Sequence, residues 1–106
     1  MLTNEQQDFW DVLHLTRKVE ADGTICWLKN GKYHREHGPA VINADGTEEW
    51  FKNGERHRLN RPAVIYPDGT EYWCKNGSLH HDDGPAVIYA DGTKAYYLNG
   101  VLVDPF

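Results

Sequence analysis

The chain has 106 residues, 40% of them apolar and 25% charged, with a formal charge of −5. This is a globular composition, and its acidity argues against a uniformly basic nucleic-acid binder. No apolar run is long enough for a membrane-spanning helix, no basic-then-apolar leader opens the chain, and two cysteines cannot make a disulfide framework, so a small cytoplasmic domain away from the membrane is expected.

Residues 1–20 lie outside the dominant pattern and read as a cap. Thr3 and Gln6 have capping-box spacing, and Phe9, Trp10, Val12 and Leu13 fall on one helical face, which predicts a short helix over 3–14. Leu15, Arg17 and Val19 then alternate with Thr16, Lys18 and Glu20, a degenerate strand entering a turn at Asp22-Gly23.

Residues 21–106 are a repeat. Asp-Gly-Thr recurs at Asp22, Asp45, Asp68 and Asp91, a period of 23 residues, and all ten glycines fall inside the units that start there. A second turn signal follows in each unit, at Asn30-Gly31, Asn53-Gly54, Asn76-Gly77 and Asn99-Gly100. Asp-Gly and Asn-Gly both suit hairpins because their residues accept the positive φ that matches strand twist. Two extended stretches lie between the turns, in the second unit 47–52 and 55–66. The latter should bend near Pro62, and its counterparts near Pro39 and Pro85, because proline removes a ladder donor. The expected fold is all-β, an antiparallel hairpin meander of about seven or eight strands, since a repeated hairpin buries its apolar face only against its neighbours. Pro105 and Phe106 are expected to close the last edge.

Three columns of side chains recur at the repeat period. Trp27, Trp50 and Trp73, with Tyr96 last, align on one face; they serve either as the core of a thin repeat protein or as a stack for bases. Lys29, Lys52 and Lys75 lie two residues on and could cover the rings. His34, His57 and His80 each follow the turn glycine by three positions. Equivalent positions in a two-strand repeat stand roughly 10 Å apart, too far to share one metal ion, so these histidines are expected to bond backbone groups at the bent strand or the Asp-Gly turn. The cluster His80-His81-Asp82-Asp83 is a separate metal candidate, weakened because adjacent strand residues face opposite ways. Cys26 and Cys74 sit two units apart and are expected to remain reduced.

Where the units diverge, function is the more informative reading. The second unit carries Arg56, Arg58 and Arg61, the last standing where its neighbours have Gly38 and Gly84. Such arginines suit carboxylate or phosphate partners. Glu49, Phe51 and Tyr72, on the face opposite the tryptophans, would complete an interface if exposed.

Units of this kind, with W-x-x-N-G, a following His, G-P-A and D-G-T, resemble the variant MORN repeats of bacterial repeat antitoxins and small phage and giant-virus proteins. The resemblance covers 22–106. It implies a hairpin meander used for binding, with no shared catalytic residues. No P-loop, nucleophile elbow or Cys/His metal spacing appears, so neither an enzyme nor a cofactor or metal is expected. The function expected is a non-catalytic protein-binding module, a phage-type anti-defence inhibitor or an antitoxin that occludes a host defence protein or toxin in the cytoplasm. The alternative is a nucleotide or oligonucleotide sponge using the aromatic columns and the arginines.

Overall fold

The computed structural model describes residues 15–103 together with Thr3 and Gln6. Those two make reciprocal capping bonds: the Thr3 N–H donates to Gln6 Oε1 (2.9 Å) and the Gln6 N–H to Thr3 Oγ1 (3.1 Å). The other residues of the expected 3–14 helix and the expected Pro105-Phe106 closure lie outside the described residues.

All the described elements beyond that cap are strands. The chain enters through β1 (Thr16–Val19) and β2 (Ile25–Lys29), with β3 (Lys32–Tyr33) folded back on β2. The second unit follows as β4 (Val41–Ile42), β5 (Glu48–Glu49), β6 (Phe51–Lys52) and β7 (Glu55–Arg56). The third repeats it as β8 (Val64–Ile65), β9 (Glu71–Tyr72), β10 (Cys74–Lys75) and β11 (Ser78–Leu79). The chain ends in β12 (Val87–Ile88), β13 (Lys94–Leu98) and β14 (Val101–Val103). One antiparallel ladder runs β1-β2-β4-β5-β8-β9-β12-β13-β14, and β6–β7 and β10–β11 stand off it as separate hairpins.

The fold is thus the antiparallel meander of hairpins that the repeat predicts, but its strands are shorter and more numerous, because each long stretch is broken. The break falls on tryptophan. The Trp50 N–H donates into the main ladder at Ala63 O (2.6 Å), while its carbonyl accepts from the His57 N–H of the hairpin (3.1 Å). Trp73 does the same with Ala86 O (2.6 Å) and the His80 N–H (2.9 Å). One residue thereby serves two ladders running in different directions. Trp27 makes equivalent bonds, but β1 pairs with β2 from Ile25 through Leu28, across the tryptophan, and that strand is continuous.

The two turn types divide the work differently from the expectation. In the Asn-Gly turns both residues have positive φ, as at Asn53 (50°) and Gly54 (84°), the geometry of a type I′ hairpin. In the Asp-Gly turns only the glycine does. Asp45 instead accepts the Thr47 N–H on its carboxylate (2.8 Å), and the Gly46 N–H closes a tight turn on Asn43 O (2.9 Å). The same Asx bond recurs at Asp22, Asp68 and Asp91.

The buried face is the one bearing Cys26, Val41, Val64 and Val87, with Thr47 and Thr70 beside the turns. Ala40, Ala63 and Ala86, the alanines of the G-P-A motif, are fully buried (0% exposed). Each accepts from a tryptophan N–H and donates to the next strand, so the backbones approach closely and no larger side chain fits. Ile42, Ile65 and Ile88 lie on the opposite face and are only half-buried. No helix among the described residues is long and apolar enough to cross a membrane.

Candidate functional site

The histidine column joins one unit to the next. His34 Nδ1 accepts the Asn53 N–H (3.0 Å), His57 Nδ1 the Asn76 N–H (3.1 Å) and His80 Nδ1 the Asn99 N–H (2.9 Å). The expected bond to backbone is present, but its donor is the following unit's Asn-Gly turn rather than an Asp-Gly turn. In an I′ turn the first central residue turns its N–H away from its own hairpin, so an outside acceptor is needed. The neighbouring backbone completes the join, with the Gly54, Gly77 and Gly100 N–H groups donating to Tyr33, Arg56 and Leu79.

Accepting at Nδ1 places the ring proton on Nε2. In the first and third units an acid two residues on stands beside Nε2: His80 hydrogen-bonds Asp82 Oδ1 (2.7 Å), and His34 Nε2 lies 3.1 Å from Glu36 Oε1. The second unit has Leu59 there, 73% exposed. His57 Nε2 is left without a protein acceptor among the described residues. Burial first, then Lys52 and Lys75, holds the His57 ring below its ordinary pKa.

The residue after each of these histidines covers a tryptophan. Arg35 sits 3.8 Å above the Trp27 ring and Arg58 3.6 Å above Trp50, while the His81 ring stacks on Trp73 at 3.9 Å and 6°. Each also donates to the carbonyl of the proline four residues on: Arg35 to Pro39 (3.2 Å), Arg58 to Pro62 (3.1 Å) and His81 to Pro85 (2.9 Å). The covering groups found at these three rings are planar side chains at one offset in the repeat. Sequence reading gave this role to none of the three, although Arg35, Arg58 and His81 stand at one offset in the repeat.

Between the first and second units this arrangement leaves a groove of about 380 Å³. Lys52, His57, Arg58 and Arg61 line it with Arg35, and Glu36 is its one carboxylate. The equivalent groove between the second and third units is smaller, about 130 Å³, and sets Arg58 and Lys75 against Asp82 and Asp83. One architecture therefore carries two charge characters. Burial, followed by the nearby Arg61, lowers the Arg58 pKa.

The six residues expected to form one interface divide. Arg58, Arg61 and Phe51 line the cationic groove. Arg56 does not line it; its guanidinium donates to Glu49 Oε1 (2.7 Å), and Glu49 also accepts from Asn43 (2.9 Å). The Glu49 side chain is 15% exposed, so it is a satisfied internal acid rather than a free contact. Burial would lower the Arg56 pKa, but the Glu49 bond and charge outweigh it and raise it. Phe51 packs against Tyr33 and Tyr72 against Tyr66, each pair with centroids 5.2 Å apart. Both rings are half-buried, so the exposure assumed for them is not what the fold provides. Tyr96 pairs with Val103 in the last hairpin and is half-buried.

Cys26 and Cys74 are buried free thiols, and burial pushes the Cys74 pKa up. Among the described residues no three His, Cys, Asp or Glu side chains converge as metal ligands, and His80 and Asp82 spend themselves on each other. No family model, curated protein or solved structure matches the chain.

Proposed function

We propose that this chain is a non-catalytic protein-binding repeat module, acting in the cytoplasm as a phage-type inhibitor or antitoxin that occludes another protein. The observation that carries the reading is the divergence of two equivalent grooves on an otherwise uniform scaffold. Turns, clasps and tryptophan covers repeat because the fold needs them. Leu59, Asn60 and Arg61 break the repeat at the groove, where a partner would be chosen. The resemblance to variant MORN repeats stays with the sequence motif and supports the same reading. The nucleotide alternative has less support, since one face of each column tryptophan is already covered by Arg35, Arg58 or His81. Native mass spectrometry of tagged protein recovered from its own cells tests the proposal. A discrete protein adduct is expected, and it should be lost with Arg58→Glu/Arg61→Glu. An adduct of a few hundred daltons, or none, would overturn it, and a protein adduct insensitive to that pair would overturn the assignment of the groove.

A further inference from the structure

The second unit reaches its cationic groove by departing from the repeat at three adjacent positions. At Gly38 an added Cβ would fall 2.7 Å from Arg35 Cζ, and at Gly84 3.2 Å from His81 Cε1, so the stacked side chain normally occupies the space. Arg61 carries a Cβ at that position. The loop accommodates it by a different path, with Asn60 in the left-handed region at φ 61°, a conformation absent from His37 and Asp83. On this path Arg58 keeps both its tryptophan and its proline carbonyl. The acid of the other units is meanwhile replaced by Leu59, which frees the His57 Nε2–H.

The result is a concentration of donors around a single carboxylate, Glu36, which lies 3.1 Å from His34 Nε2. Among the described residues ion pairs join Lys18 to Glu20, His34 to Glu36, Arg56 to Glu49 and His80 to Asp82, and Lys52, Arg58 and Arg61 are in none of them, although the whole chain is acidic. Outside the Asn-Gly turns, the left-handed Asn60, the exposed Arg61 and an unspent His57 N–H all fall in one unit and at one groove. We propose that the groove between the first and second units is an oxyanion site that takes a phosphoryl group, with Arg58, Arg61 and Lys52 supplying charge and His57 Nε2–H a directed hydrogen bond. Several cations beside a neutral donor suit a dianion with three or more oxygens better than a single carboxylate. The inference rests on the binding-module reading and specifies the chemistry of its anchor. The phosphoryl group belongs either to a modified side chain of the partner or to free phosphate.

The test uses the full chain, with imidazole and guanidinium ¹⁵N–¹H signals followed while sodium phosphate replaces sodium chloride at constant ionic strength. A phosphoserine peptide is titrated in parallel. A saturable shift at His57, with His34 and His80 unmoved, is expected. Arg61→Gly should fold, because glycine stands there in the other units, and should weaken binding about tenfold, the scale of one charge-assisted bond. Leu59→Glu should abolish binding by returning the acid. Tighter binding of the peptide assigns the group to a polypeptide, and equal binding assigns it to the free anion. Non-saturating shifts that are alike at all three histidines would overturn the inference. If the protein adduct persists in native mass spectra in that case, the binding-module reading stands alone; if both are absent, both fall.

Discussion

Replacing His34 with alanine should be among the most damaging single changes in this protein. The ring is 1% exposed, takes the Asn53 N–H at 3.0 Å and sits 3.1 Å from Glu36. Truncation leaves a part-buried N–H without its acceptor, which costs about 1–3 kcal/mol. The lost packing and the cavity add about 1–2 kcal/mol. A total near 3 kcal/mol is a large share of the roughly 5–15 kcal/mol that holds a domain of this size together. It corresponds to a fall in Tm of roughly 10–20 °C. His57→Ala removes the same backbone acceptor, but its ring is only half-buried and meets no acid, so about 1–2 kcal/mol is expected. Urea denaturation followed by tryptophan fluorescence measures both. His34→Asn, whose amide oxygen can fall near the Nδ1 position, should recover part of the loss, and His34→Leu none. If His34→Leu were as stable as the parent chain, the clasp would not hold the units together.

Gly38→Ala would push its Cβ into the Arg35 guanidinium, so Arg35 should leave Trp27 at a cost of about 1 kcal/mol, read as a red-shifted emission and lower urea midpoint. Arg58→Lys should not restore the cover of Trp50, because an ammonium cannot both stack flat and reach Pro62 O; about 1 kcal/mol is expected from thermal melts. Bonds from the following threonine depress the turn carboxylates below their ordinary 3.8, led by its backbone N–H at Asp22, Asp45 and Asp68 and by its hydroxyl at Asp91. Their contribution is complete above that pH and is lost as pH falls through the folded-state values, so Asp45→Ala should flatten the acid limb of the stability curve. His57, likewise depressed from 6.5, contributes stability that is full above pH 6.5 and lost as pH falls below it; His57→Asn should remove that slope.

The turns were the most legible part of the fold, because Asn-Gly and Asp-Gly state their backbone needs locally. Even so, the sequence does not show that Asp45 would use its carboxylate where Asn53 uses its φ. Which sheet face is buried depended on register, and register emerges only when Val41, Glu49 and Val64 are seen opposite one another. The break at Trp50 was hidden for a related reason: alternation continues through it, while the hydrogen bonds change partners. Arg58 and Arg61 were visible as departures from the repeat and do share a groove. Arg56 looked equivalent in the sequence, yet Glu49 reaches it from seven residues away and neutralises it. The role of His57 was legible only by comparison: the absence of acid at Leu59 matters once the Nδ1 proton donor is known.

The most direct measurement exchanges one loop. Residues 58–61, Arg-Leu-Asn-Arg, are replaced with the Arg-Glu-His-Gly of residues 35–38, and native mass spectra of the tagged parent and variant are compared from the same cells, alongside their melting curves. Because the exchanged segment keeps the stacking arginine and restores the glycine beneath it, the fold should melt within a few degrees of the parent. The protein adduct should disappear. An adduct that survives the exchange would show that binding lies elsewhere on the sheet, and an adduct missing from the parent would remove the binding-module account altogether.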